Sequence, residues 1–240
     1  MRQKATKPFQ FKEFTVVQQQ SAMKVNTDSI LLGSWADVSE ANYVLDIGTG
    51  TGLLALMVAQ RNTQAIIDAI DIDLPAVEEA TLNFSNSKFS DRLNCFHQPL
   101  QSFATNSEKK YDLVITNPPY FEEGLVSPDT QRGNARHTNS LSFLDLIQGA
   151  TQFLNTDGKL AMVIPIEARE RIISIAQKHS LHLNRELQVQ PTPTKPFNRS
   201  FLQFSFKKSD VTFQKLSIYN TNSSYSECFK TYTKLFYLNI

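Results

Sequence analysis

The chain has 240 residues, 41% of them hydrophobic and 20% charged, with two cysteines and a net charge of +1. Those values exclude a disulfide scaffold, and no run approaches the roughly 20 apolar residues of a membrane span. The charge is unevenly spread: +4 over residues 1–24, −7 over 25–100, −3 over 101–168, +6 over 169–215 and +1 over 216–240. An acidic middle suits a small cationic cofactor, and basic flanks suit phosphates.

The first fifteen residues are basic but lack the apolar core of a secretory signal, so a cytoplasmic location is expected. Phe9, Phe11, Phe14, Val16 and Val17 alternate with polar residues, which predicts a short strand or hairpin. Asn26 or Thr27 caps a helix through Trp35. Residues 43–47 form a buried strand that ends in Gly48-Thr49-Gly50-Thr51-Gly52, and a helix follows over 53–60. A strand over 65–70 ends in Asp71-Ile72-Asp73. The next helix runs over 74–83, with Pro75 in its first turn and Asp73 as its cap. Strands follow at 93–97 and 111–116. A polar loop of about 20 residues, from Tyr120 to Ser140, is longer than most connections and is a candidate for function.

Beyond the loop, a helix covers 141–154 and Asp157-Gly158 turns into a strand over 159–164. A basic helix covers 166–179. Alternating segments at 181–189 and 201–206, around prolines 191, 193 and 196, form a hairpin. A strand over 211–218 and a helix over 226–236 close the sequence. The pattern is one α/β domain, with a mostly parallel sheet and an antiparallel hairpin towards its C-terminal side.

Two places carry chemistry. The first is the glycine turn. Its spacing is GxGxG, so the dinucleotide fingerprint GxGxxG is not met. Asp71 falls 19 residues after Gly52, at the end of the next strand, where a carboxylate accepts both hydrogen bonds of a ribose diol. Asp46, just before the turn, orients the loop or meets a ligand amine. The plainer role for either acid is a capping or surface carboxylate. The second place is Asn117-Pro118-Pro119-Tyr120. It follows the apolar run 113–116, and two prolines stop that strand. An amide, carbonyls beside imides and an aromatic ring, all held stiffly, suit a planar amine-bearing group. The same tetrad also reads as an ordinary proline turn.

Residues 44–52 resemble the first motif of class I S-adenosylmethionine-dependent methyltransferases. Asn117 to Tyr120 resembles the catalytic motif of the amino-group methyltransferases, which act on adenine N6, guanine N2 or a glutamine amide. Residues 9–14 and 22–33, with Tyr225-Ser226-Glu227 and Phe236-Tyr237-Leu238, resemble the bacterial tRNA1(Val) (adenine-N6)-methyltransferases. The resemblance covers nearly the whole chain. It implies a Rossmann-like α/β fold with a mostly parallel seven-stranded sheet, a C-terminal antiparallel hairpin and helices on both faces. Residues 1–40 are expected to pack on the cofactor site of a methyltransferase domain over 41–240.

The resemblance also implies S-adenosylmethionine as cofactor and the anticodon loop of a tRNA as partner. Neither a metal nor a membrane is expected, and the spacing of His97, His137, His179 and His182 fits no metal site. By resemblance, Asn117 and Pro118 accept the hydrogens of the target amine and Tyr120 stacks on the base, with Pro119 part of the same catalytic tetrad. Cofactor contacts fall on Thr27, Asp28, Asp46, Gly48, Gly50, Gly52, Asp71 and Asn117. Thr27 and Asp28 sit equally well in a plain N-cap. Candidate RNA contacts are Arg132, Arg136, Arg169, Arg171, Lys195 and Arg199. One departure stands out: Pro99 occupies the place where such enzymes carry an Asp that receives the cofactor's adenine amine. Gln98 or a backbone group is the expected substitute. Two other readings share these residues: a methyltransferase of protein glutamine amides, and a non-catalytic RNA-binding module on the same scaffold.

Overall fold

The computed structural model describes residues 7–106, 109–118 and 141–240. In chain order the strands are β1 (Phe9–Gln10), β2 (Thr15–Val16), β3 (Tyr43–Ile47), β4 (Ile66–Asp71), β5 (Leu93–His97), β6 (Tyr111–Thr116), β7 (Leu154–Pro165), β8 (His182–Gln190), β9 (Arg199–Ser205) and β10 (Thr212–Ser217). The helices are α1 (Thr27–Trp35), α2 (Leu53–Arg61), α3 (Leu74–Ser85), α4 (Leu100–Asn106), α5 (Phe143–Phe153), α6 (Arg169–Lys178) and α7 (Glu227–Thr233). β1 and β2 form a hairpin, and the other eight strands form one sheet in the order β10-β8-β9-β7-β6-β3-β4-β5.

The central strands are apolar runs because both of their faces are covered. Val44 of β3 faces one core, with α1, α2, α3 and α7. Leu45, next in sequence, faces the other, with α4, α5 and α6. All neighbouring strands run parallel except β9, which is antiparallel to both β7 and β8. The expected mostly parallel sheet with a C-terminal hairpin is present. It has eight strands rather than seven, because the strand expected over 211–218 pairs with β8 instead of leaving β8 as an edge. Most of β10 is exposed, and only Leu216 is buried.

Two local features differ from the sequence reading. α4 was not anticipated: it has seven residues, and only Leu100 and Phe103 of its described side chains reach the core. The Asp157-Gly158 turn is absorbed into β7. Leu154 pairs with Tyr111 and Lys159 with Leu113, so the residues between them bulge. A Cβ at position 158 would lie 2.8 Å from the Tyr111 carbonyl oxygen, so only glycine lets the bulge close.

The first described residues are pinned at two places. The rings of Phe9 and Phe11 lie 4.7 Å apart, tilted by 43°, and meet Tyr237 at 6.2 and 6.5 Å. The Lys12 amide donates to the Phe236 carbonyl (2.9 Å) and its ammonium to the Lys234 carbonyl (2.6 Å). Further on, the buried Glu79 carboxylate of α3 accepts from the amides of Gln19, Gln20 (2.9 Å) and Ser21 (2.9 Å). Asn83, one turn later, accepts from the Val17 amide and donates to the carbonyls of Val17 and Thr51. Burial pushes the Glu79 carboxyl up, but the amides of Gln20, Ser21 and Gln19 outweigh it and hold it below its ordinary value.

Glu79→Ala is expected to lower stability by about 1–3 kcal/mol, since three amides lose their acceptor. The folded pKa is depressed, so the Glu79 contribution is fully present above about 4.5 and is lost as pH falls through the folded value. Urea unfolding at pH 7 and in acid checks this: the gap between the two proteins should narrow in acid.

Candidate active site

In an open parallel sheet, ligands bind beyond the carboxyl ends of the strands, at the point where the chain reverses its direction of building. Here β3, β4 and β5 build outward one way, and β6 returns to the other side of β3. The switch point therefore lies between the ends of β3 and β6. The glycine turn follows β3, and Asn117 follows β6.

Gly48, Gly50 and Gly52 have φ of +69°, +55° and +80°. A Cβ at Gly50 would meet nothing within 4 Å, so the turn presents its backbone to open space there. A Cβ at Gly52 would lie 2.4 Å from a ring carbon of Phe84, so that glycine lets α3 pack closely. The amides of Gly48 and Thr49 bond to the Ile70 carbonyl. The Gly50 amide donates to Asp71 Oδ2 at 2.9 Å, and the Asp73 amide to Asp71 Oδ1 at 3.0 Å. Asp71 thus sets the shape of the turn from the neighbouring strand. Asp73 stands at the N-cap of α3, as expected, but its side chain makes no capping bond.

Asp46 is wholly buried. Its Oδ2 accepts from the Thr49 hydroxyl at 2.6 Å, while Oδ1 has no hydrogen-bond partner among the described residues. Burial pushes this carboxyl up to about 7; the Thr49 hydroxyl and the Ala55 amide pull it back, and Asp71 adds a smaller push. A buried acid with one unpaired oxygen, directly beneath an open glycine turn, is arranged for a cationic group. On the far side of Asp71, Ile72 is 52% exposed. The Gln98 amide is taken by the Asp71 carbonyl at 3.0 Å, and the Pro99 carbonyl accepts the Phe103 amide of α4.

Asn117 is 7% exposed. Its Nδ2 donates to Ser29 Oγ at 2.9 Å and lies 3.7 Å from Met23 Sδ. Thr116, before it, donates its hydroxyl to the Ile47 carbonyl at 2.8 Å, tying the ends of β6 and β3 together. Pro118 is buried beside Asn117. Pro119, Tyr120, Arg132 and Arg136 lie outside the described residues.

α1 is capped by Asn26, whose Oδ1 accepts from the Ser29 amide at 2.8 Å. Thr27 and Asp28 open its first turn without serving as the cap. Asp28 pairs with Arg199 Nε at 2.8 Å. Arg169 makes a two-pronged ion pair with the buried Glu186, at 2.7 and 2.6 Å. Arg169 and Arg199, expected to contact RNA, are therefore engaged in ion pairs within the fold. Arg171 near the start of α6 and Lys195 in the β8–β9 turn are exposed at the same end of the sheet as Asn117. Ser29, Met23, Glu79 and Asn83 were not singled out by the sequence. A serine directly before the apolar run 30–32 was the one available hint.

The methyltransferase small domain family matches residues 19–172. A protein of Christiangramia forsetii named tRNA1(Val) (adenine(37)-N6)-methyltransferase is 39% identical over 98% of this chain and all of its own length. A protein of the same name from Parabacteroides distasonis is 43% identical over 97% of this chain and 98% of its own. Among solved structures, one described as a predicted O-methyltransferase from Agrobacterium tumefaciens superposes with a TM-score of 0.68 at 20% identity, covering 87% of this chain and 96% of that one. The last likeness shows the fold. The first three, together with a glycine turn and an Asn-Pro pair meeting at one switch point, place this chain in the methyltransferase small domain family, among the tRNA1(Val) (adenine(37)-N6)-methyltransferases.

Proposed function

We propose that this protein transfers a methyl group from S-adenosylmethionine to N6 of an adenine in tRNA, the adenine 3′ of the anticodon (position 37) of tRNA1(Val). The observation that carries the reading is the pairing of β3 with β6, which sets the glycine turn and Asp46 one strand away from Asn117. Adjacent strands lie about 4.8 Å apart, so a donor on one and an acceptor on the other come within reach.

The residues present fit the cofactor. Asp71 is placed for a ribose diol and Ile72 for a flat base. Gly50 leaves space for close approach, and the unpaired Asp46 oxygen suits a cationic group. S-adenosylmethionine, when bound, supplies an electrophilic methyl group. Adenine N6 is a weak nucleophile, because its lone pair is delocalised into the ring. The Asn117 side-chain carbonyl and the Pro118 carbonyl accept its two hydrogens and favour a localised lone pair on N6. These acceptors work by positioning and electrostatics, with no strong base. Tyr120 stacks on a base turned out of its loop, and a single-stranded loop gives up a base cheaply. Arg171 and Lys195 meet phosphates alongside.

Asp46 gives the cofactor site a pH dependence. Its folded pKa of about 7 lies above the ordinary 3.8, so the ligand-free fold loses stability as pH rises from about 4 to 7. A cationic ligand prefers the carboxylate, so affinity for S-adenosylmethionine should rise about fivefold between pH 6 and pH 7. Calorimetry across that range checks this, and Asp46→Asn should bind more weakly with a flat profile.

The test of the function is methyl transfer from labelled S-adenosylmethionine to total tRNA and to total protein, followed by nucleoside analysis. N6-methyladenosine in tRNA is expected. Label confined to protein would move the assignment to glutamine amides. Absence of cofactor binding by folded protein would leave an RNA-binding module.

A further inference from the structure

We propose that Met23 and Ser29 act as positioning residues that fix which way the Asn117 amide faces, so that its carbonyl and not its NH2 meets the target amine. The inference rests on the reading of Asn117 as the residue that holds that amine. An asparagine side chain has two nearly identical ends, one donating and one accepting. Turned by half a rotation, Asn117 would offer N–H groups to an amine that needs acceptors.

The geometry selects one of the two. Asn117 Nδ2 has Ser29 Oγ at 2.9 Å and Met23 Sδ at 3.7 Å. A serine hydroxyl alone would not discriminate, because it donates as readily as it accepts. A thioether carries no hydrogen and only accepts. An amide oxygen turned towards Met23 would face another acceptor, so the sulfur breaks the tie and Ser29 supplies the stronger bond. With both N–H groups drawn to the N-terminal segment, Oδ1 points away from it.

The backbone that carries the two partners is itself held. Ser29 is 7% exposed, and its amide is capped by Asn26 at 2.8 Å. α1 is tied to β9 by Asp28 and Arg199. The stretch before Met23 hangs on Glu79 and Asn83 of α3. The Val25 amide after it donates to Gln18 Oε1 at 2.9 Å. The catalytic amide is thus oriented by side chains 88 and 94 residues upstream, outside the strand that carries it.

Ser29→Ala, Met23→Leu and Ser29→Thr are made in the full chain, each also combined with Asn117→Ala. Ser29→Ala should lower kcat about tenfold to a hundredfold, and Met23→Leu by a smaller factor. KM for tRNA, Kd for S-adenosylmethionine and melting temperature should stay close to wild type. Ser29→Thr restores the hydroxyl and should recover most of kcat. In the Asn117→Ala background neither variant should cost anything further. The Asn117 side-chain NH2 signals, assigned by their loss in Asn117→Ala, should exchange with water faster in Ser29→Ala. An unchanged kcat in both single variants, or a loss that falls on cofactor affinity, would overturn the proposal. Wild-type enzyme that methylates protein and not tRNA would sink the RNA reading alone, since the same kcat comparison then runs on the protein amide. If no acceptor is methylated, unaltered NH2 exchange in Ser29→Ala overturns the orientation itself.

Discussion

Asn117→Ala is expected to lower kcat by about 10²–10³-fold, the usual cost of removing one preorganised group that recognises the transition state. Binding of S-adenosylmethionine should change little, because Asp46, Asp71 and the glycine turn stand on β3 and β4. KM for tRNA should change little too, since phosphates and stacking supply most of that affinity. A loss confined to kcat marks an interaction made in the transition state. The fold should survive: Ser29 loses one hydrogen bond at the sheet edge, about 1 kcal/mol, and the Thr116 to Ile47 bond still ties β6 to β3. Single-turnover methyl transfer with calorimetry on the same sample checks both halves. Full activity in Asn117→Ala would remove the residue from the mechanism.

The second large effect is on stability. Arg169→Ala should destabilise the protein by about 3 kcal/mol, because it strands a buried carboxylate. Glu186 is 1% exposed. It keeps only Gln188 at 2.8 Å and Ser200 at 3.0 Å once Arg169 is gone. In the intact protein burial pushes the Glu186 carboxyl up, and the Arg169, Gln188 and Ser200 bonds overcome it and hold it below the ordinary value. The stabilisation is therefore present above about 4.5 and is lost as pH falls through the folded value. In the variant the same carboxyl loses its cation and rises, so the variant weakens as pH increases. The difference between the two proteins should widen from pH 4 to pH 7 in urea unfolding. Pairing Arg169→Met with Glu186→Leu should recover most of the loss, since apolar replacement of both partners is often neutral or better. The salt slope of tRNA binding should hardly change in Arg169→Ala. Lys195→Ala should reduce it by about one unit. The reverse pattern would return Arg169 to the RNA surface.

The parts of the fold that were legible in sequence are those with a local signal. Residues 43–47 and 111–116 are apolar runs ended by glycines or prolines, and both became strands whose ends meet. Residues 201–206 alternate, and the antiparallel strand formed there over Arg199–Ser205. α4 escaped because seven residues are too short a window for a helical period to stand out, directly after Pro99. The bulge in β7 escaped because Asp157-Gly158 has the composition of a turn, while the pairings of Leu154 with Tyr111 and of Lys159 with Leu113 on either side carry the strand through it. The site divides the same way. Asp46, Asp71, the glycines and Asn117 sit at strand ends, where spacing finds them. Glu79, Asn83, Met23 and Ser29 act across 58 to 94 residues, and a hydrogen bond of that span leaves no mark on periodicity. Arg169 and Arg199 show the converse. Each pairs with a carboxylate 17 or 171 residues away, a partner that the basic stretch around it does not announce.

The clasp between residues 9–12 and residues 234–237 has a consequence for how the protein is made. Lys12 bonds across 222 residues to Lys234, so the hairpin cannot find its seat until the ribosome has released almost everything between them. Loop-closure entropy grows only slowly with length, by about 0.6 kcal/mol per doubling, so so long a closure is thermodynamically mild but late in time. The sheet and its glycine turn can assemble earlier, from contacts between neighbouring strands. The clasp is therefore expected to close after the sheet has formed, whereas the stretch before Met23 seats on Glu79 and Asn83 of α3 without waiting for it.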